Sequence, residues 1–255
     1  MISKNKIKFL RCLEIKKYRT KHQKAFLEGK RLIDEAINAR ANLETVWLTE
    51  KALNNYSNQN LVAKIKSHKI LCESISEDDL NIISNIEASQ GIIAEISISK
   101  YLGSKITDIK DSNILILDGI SDPGNLGTII RTCSWYNIKF IILSSDCVDP
   151  FNLKCLRAGM GAHFYLTNII NAKRKEIIEY LDYNAYDVCS ASLEGNSLLE
   201  FNPNNKWAVI LGSEAHGLHD DFQIFNKITI AKHGKIESLN ASVACGIILD
   251  RLVNK

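Results

Sequence analysis

The stretch Ile114-Leu115-Ile116-Leu117-Asp118-Gly119-Ile120-Ser121-Asp122-Pro123-Gly124-Asn125-Leu126-Gly127-Thr128-Ile129-Ile130-Arg131 decides how this chain is read. It opens with a strand signal over residues 114–120: a short, nearly continuous branched apolar run, as in a strand covered on both faces. Pro123 and Gly124 then make a turn, and Asn125 is a candidate cap for a helix expected over residues 126–136. A loop that re-enters as a helix exposes backbone N–H groups where an anion can sit. Arg131 falls about one and two-thirds turns into that helix, at ~3.6 residues per turn. Its side chain leans back toward the loop. An arginine in a structural salt bridge would read the same way, so the function of the stretch depends on what else the chain carries.

Working outward, the same alternation continues. Strands are expected at 140–144, 164–166, 186–191, 207–212 and 227–231, with helices at 151–160, 173–183 and 238–253. Alternating strand and helix implies a mostly parallel sheet flanked by helices. Upstream lies a smaller α/β pattern. A basic helix is expected at 4–18, a short element at 26–29, helices at 30–40, 60–68 and 77–84, and strands at 45–49, 69–74 and 91–98. Residues 102–113 are polar and contain Gly103, Asp108, Asp111 and Ser112, which marks a linker. The expected domains are therefore 1–103 and 104–255. Neither domain has a GxGxxG turn after its first strand, nor a GxxxxGK[ST] loop, which disfavours dinucleotide and nucleoside-triphosphate binding.

Two further blocks stand at strand–loop–helix junctions. The first is Leu211-Gly212-Ser213-Glu214-Ala215-His216-Gly217-Leu218. Gly212 permits close approach of a ligand and Gly217 a tight backbone, at the strand end where ligands bind in open α/β sheets. The second is Glu237-Ser238-Leu239-Asn240-Ala241-Ser242-Val243-Ala244, which follows a strand containing Ile230. Ser238 is a candidate helix cap, and Asn240 and Ser242 are polar groups suited to a pocket wall. Leu239, Val243 and Ile247, with Ala244, Ile248 and Leu252, make an apolar stripe wide enough for both a core and an interface.

Charge is unevenly spread. Residues 1–31 hold eleven Lys/Arg against two Glu, a net +9, while the rest hold 21 basic against 27 acidic groups, a net −6. A basic arm on an acidic body fits a polyanionic partner, and a solvated helix face explains it equally well. With 45% hydrophobic residues the chain can bury a substantial core. No apolar run is long enough to span a membrane, and the N-terminus lacks a signal core, so no membrane partner is expected. The seven cysteines form no CxxC pair and are read as buried, reduced thiols of a cytoplasmic protein without a zinc site.

The three blocks, in this order within about 130 residues, resemble the motifs of the SpoU (TrmH) branch of the SPOUT RNA methyltransferases. Lys17-Tyr18-Arg19, Phe26-Leu27-Glu28-Gly29 with Leu32-Ile33, and Gln90-Gly91-Ile92-Ile93-Ala94 resemble the accessory substrate-binding domain of its ribosomal-RNA members. The resemblance implies an α/β fold: a C-terminal SPOUT-type domain with a trefoil knot, and a small N-terminal domain like certain ribosomal proteins. It implies methyl transfer from S-adenosylmethionine to a ribose 2′-hydroxyl of RNA, no metal, and a homodimer with the cofactor site near the interface. Carried over, Arg131, Asn125, Glu214 and Asn240 belong to the catalytic site. Leu211, Gly212, Ile230, Ser238 and Leu239 line the cofactor site.

An arginine stays protonated, so Arg131 is read as a charge stabiliser and phosphate clamp, not a base. No cysteine in the three loops could serve as the covalent nucleophile that base carbon methylation uses, which favours ribose chemistry. Ribosomal RNA is the expected substrate. The alternatives are a transfer-RNA methyltransferase and a non-catalytic RNA-binding assembly factor on the same scaffold. The chain departs from the family in Ala231-Lys232, where Pro-Met is usual, and in Asn137, where a glycine ends the first motif helix.

Overall fold

The computed structural model describes residues 2–84, 89–166, 168–214 and 216–254, so Ala215 of the second block lies outside the described residues. The chain divides into two units. One is Met1–Lys100 with Asp149–Tyr165, and the other is Tyr101–Val148 with Leu166–Lys255. Segment 149–165, expected in the second domain, thus groups with the first.

The first unit is built on β1 (Lys24–Glu28), β2 (Leu43–Leu48), β3 (Leu71–Ser74) and β4 (Ile92–Ser97), in the order β1-β4-β2-β3. β4 runs antiparallel to β1 and β2, whereas β2 and β3 are parallel. Ile7, Leu10, Phe26, Trp47, Leu80 and Ile93 form one core cluster. Each such side chain contributes ~1.5–3 kcal/mol when fully buried. The single helix expected over 4–18 is two helices, Lys4–Cys12 and Lys16–His22. Leu13 is buried at the break, and Arg19 donates to the carbonyls of Leu13 and Glu14, both at 2.7 Å, while pairing with Asp149.

The basic arm is therefore folded, and part of its charge is used internally. Lys6 and Lys24 both pair with Glu95, which is 0% exposed. Burial alone would lower the Lys24 pKa, but hydrogen bonds and charge from Glu44 and Glu95 outweigh it and raise it. Lys4, Lys8, Arg11, Lys16, Lys17, Lys21 and Arg31 stay exposed.

The strand expected at 164–166 is not there. Gly161, with φ +84°, opens a 3-10 turn, Ala162–Phe164, that buries Phe164 and His163. An added Cβ on Gly161 would lie 2.5 Å from the Glu35 Cβ. His163 Nε2 sits 3.5 Å from Cys155 Sγ, and burial holds its pKa down to about 4.

The second unit carries β5 (Ile114–Asp118), β6 (Phe140–Ser144), β7 (Asn168–Ala172), β8 (Asp187–Ser197), β9 (Trp207–Gly212) and β10 (Asn226–Thr229). Their order is β10-β8-β9-β5-β6-β7, all parallel. β5 is buried along its length, as its unbroken apolar run requires. The polar segment before it is no free linker, because Ile109 is buried in the sheet's core cluster and Ile106 packs against it. The Ala241–Val253 helix buries Cys245, Ile248, Leu249 and Leu252 and leaves Val243 and Ile247 exposed. Asn137, at φ 56°, follows the first motif helix in the left-handed region that asparagine tolerates. Five of the seven unbridged cysteines are buried, but Cys72 on the edge strand β3 is exposed and Cys12 is half-buried. Burial of all seven does not hold. Among the described residues no helix is long and apolar enough to cross a membrane.

Candidate functional site

All three motif blocks meet at the C-terminal ends of the parallel strands, and the helix caps decide how. Asp122, not Asn125, caps the Pro123–Trp135 helix: its Oδ1 accepts from Asn125 N at 2.8 Å, with Pro123 at the first helical position. Asn125 therefore stands inside the first turn with its amide free to look outward. At the other end Asn240, not Ser238, caps the Ala241–Val253 helix, its Oδ1 accepting from Ser242 N at 3.0 Å. Helical burial begins at Ala241, whereas residues 231–240 are all exposed, so Ser238 lies too far upstream to cap.

These two shifts build a closed network. Asn125 Nδ2 donates to Glu214 Oε1 at 2.7 Å. Asn240 Nδ2 donates to the same oxygen at 2.6 Å and to Asn125 Oδ1 at 2.9 Å. The backbone N–H of Ala241 adds a third donor to Glu214 Oε1 at 2.9 Å. One residue from each motif block thus holds the others. A carboxylate oxygen that collects three N–H donors is a fixed anchor for the groups that donate to it.

The Glu214 loop is shaped by its glycines. Ser213 and Gly217 pair across it, with N···O distances of 3.0 and 2.9 Å. Gly217 takes φ +66°, and a Cβ on Gly212 would come within 2.4 Å of the Gly217 backbone. Any larger residue at 212 would push the loop open.

Beside this loop opens a cavity of about 740 Å³. Leu211, Gly212, Ile230, Ser238 and Leu239, the five residues expected to hold a cofactor, all border it, as does Glu214. Leu193 and Glu194 border it too. They were missed because β8 runs on to Ser197, beyond the strand expected at 186–191. Lys232, at a family departure, also lies on the rim.

Arg131 is exposed on the Pro123–Trp135 helix, six residues beyond Asn125. Among the described residues no hydrogen bond or ion pair ties it to Asn125, Glu214 or Asn240, and it is exposed to solvent. A second cluster went unread in the sequence. Asp118, 2% exposed at the end of β5, accepts from Arg174 Nε at 2.7 Å and from the His219 backbone N–H at 2.7 Å. Arg174 also pairs with Asp146 at 2.6 Å. Burial would push the Asp146 carboxyl up, but hydrogen bonds from Ser144 and Arg174 outweigh it and hold it below its ordinary value. This cluster ties the first loop's root to the end of the second. Arg174 and Asp118 are 56 residues apart, and no local pattern joins them.

Comparison with known proteins places this geometry. Residues 112–250 match the SpoU rRNA Methylase family, and residues 4–94 match an MRM3-like substrate binding domain. The chain is 26% identical over 252 residues to the 23S rRNA (guanosine(2553)-2′-O)-methyltransferase RlmP of Bacillus subtilis, covering 97% of this chain and 95% of that one. Its fold superposes on an RNA methyltransferase of the TrmH family from Porphyromonas gingivalis with a TM-score of 0.81, at 28% identity and 98% coverage of both chains. It superposes on an AdoMet-bound rRNA methyltransferase from Sinorhizobium meliloti with a TM-score of 0.82, at 25% identity, covering 98% of this chain and 95% of that one.

Proposed function

The chain belongs to the SpoU rRNA methylase family, and from that premise we propose that it methylates a ribose 2′-hydroxyl of ribosomal RNA, with S-adenosylmethionine as methyl donor. The observation that carries the reading is the Asn125–Glu214–Asn240 network, which locks three loops together at the mouth of the 740 Å³ cavity. The cavity fits the donor: its volume is within the ~300–1,000 Å³ of small-molecule sites, and its walls mix aliphatic side chains with loop backbone. Leu211, Gly212, Ile230, Ser238 and Leu239 would hold the donor, which supplies an already activated methyl group when bound.

The rest of the work is the protein's. Asn125 and Asn240, braced by Glu214, orient the substrate side of the site, where alignment of the 2′-oxygen sets the rate. Arg131 holds an adjoining phosphate and stabilises negative charge developing on that oxygen. Asp118 and Arg174 keep the first two loops in register.

We assign a homodimer. Trp135 is 83% exposed, and Val243 and Ile247 lie exposed on the helix that packs beside it. Large apolar side chains exposed on two packed helices favour an interaction site there. A trefoil knot is the expected topology. β10 is the edge strand beside β8, yet the helix after it packs against β9 and the Pro123–Trp135 helix, which follows β5. Unbridged cysteines fit the cytoplasm.

Titration of the purified chain with S-adenosylmethionine, alongside Gly212→Val, tests the site. The wild type should bind and the variant should not. Equal binding by both would remove the cavity from the reading.

A further inference from the structure

A second cavity, of about 300 Å³, opens in the first unit. Lys30, Lys51, Glu77 and Gln90 are among the residues that border it. Gln90 Oε1 accepts from the Lys30 backbone N–H at 2.9 Å, which fixes the amide and leaves its NH₂ donors for another partner. Asn55 and Ser57 border the cavity, and Tyr56, which lies between them in sequence but does not itself line the cavity, is 82% exposed. The turn that presents this ring is braced. Ser57 N donates to Asn55 Oδ1 at 2.9 Å, buried Asn58 donates to the Ala52 carbonyl at 2.8 Å, and Lys30 Nζ reaches the Ser57 carbonyl.

An aromatic ring held in water on a rigid turn contributes little to the core. Carried on the turn that borders a cavity lined by two lysines, an amide and a carboxylate, it adds an exposed ring to the set that recognises an unpaired nucleotide. Cations meet phosphates, amide and carboxylate meet a base edge, and the ring meets a base face. An acidic peptide would satisfy the lysines and leave the ring without a flat partner.

We propose that this cavity binds one unpaired nucleotide of the RNA substrate, with Tyr56 stacked on its base and Lys30 and Lys51 on its phosphates. The proposal rests on the reading of the chain as an RNA methyltransferase and adds where the RNA is held apart from the reacting ribose.

The test uses the full chain and deproteinised ribosomal RNA from cells lacking this protein. Tyr56→Ala should weaken RNA binding by roughly 5- to 150-fold, the range for loss of one base–aromatic stack. Tyr56→Phe should bind like the wild type, and Gln90→Ala should fall between them. S-adenosylmethionine affinity should stay unchanged in all three, which separates this site from the methyl-donor site. Ultraviolet cross-linking should place a nucleotide on the peptide containing Tyr56. Wild-type RNA affinity in Tyr56→Ala and Gln90→Ala, with cross-links elsewhere, would overturn the proposal while leaving the methyltransferase reading intact. A wild-type chain that binds neither methyl donor nor RNA would overturn both.

Discussion

Glu95 in the first unit and Glu214 in the second each gather several donors, yet their settings are opposite. Glu95 is fully buried, and its partners are the charged Lys6 and Lys24. Glu214 is exposed, and its partners are two neutral side-chain amides and a backbone N–H. A buried carboxylate must be neutralised, because an unpaired charge in the interior is costly. An exposed one pays no such penalty, so its hydrogen bonds serve to position the groups that donate them. The first arrangement holds a fold together, and the second fixes two amides at the meeting point of the three motif blocks, where we propose the substrate binds.

That contrast can be broken in several places. The largest expected effect follows from stripping Glu95 of its partners. Lys6→Met with Lys24→Met should cost ~3–5 kcal/mol in denaturant unfolding, and adding Glu95→Met should recover most of it. A triple variant no more stable than the double would mean that the buried charge is not what the lysines serve. Arg131→Ala should leave stability within ~0.5 kcal/mol but slow methyl transfer ~10²–10³-fold in single-turnover assays.

The first unit also holds a pH-sensitive group. His163 is neutral when folded because burial holds its pKa at about 4, against 6.5 otherwise. The unfolded state therefore binds the extra proton. This stability is complete above pH 6.5 and drains away as pH falls toward 4, by about 3 kcal/mol at ~1.36 kcal/mol per unit. His163→Phe should flatten that slope in unfolding measured across this window. A parallel slope in the variant would place the proton elsewhere.

Glu214→Gln sharpens the comparison from the other side. It should cost on the order of 10²-fold in rate, the scale of a small misplacement of reacting groups, while unfolding hardly changes. The smallest effect on stability belongs to Val243→Asp on the exposed face, within ~0.5 kcal/mol for the isolated fold. The same variant should halve the mass seen by light scattering. An unchanged mass would dismiss that face as the dimer contact.

How much of this was legible follows from how local each signal is. The parallel sheet could be read from β5 and β9, whose apolar runs are bounded by Gly119 and Gly212. The motif residues stood out because each lies at a strand–loop–helix junction. The caps were misplaced by two or three residues, since Asp122, Asn125, Ser238 and Asn240 are all competent caps and only packing chooses among them. Phe164-Tyr165-Leu166 imitates a strand, but Gly161 turns the chain there and the strand starts at Asn168. The Asp118–Arg174–Asp146 cluster and the Lys6–Glu95–Lys24 group join residues far apart in sequence, and periodicity carries no trace of such pairs.

The central claim is the chemistry at the Asn125–Glu214–Asn240 site. Its most direct test is to incubate the full chain with S-adenosylmethionine and ribosomal RNA lacking the modification, then to hydrolyse the RNA in alkali. The account expects one position resistant to cleavage, because its 2′-oxygen carries a methyl group and can no longer attack the neighbouring phosphate. Arg131→Ala should slow its appearance ~10²–10³-fold. Complete alkaline cleavage, with the transferred methyl recovered only on a base, would contradict the account.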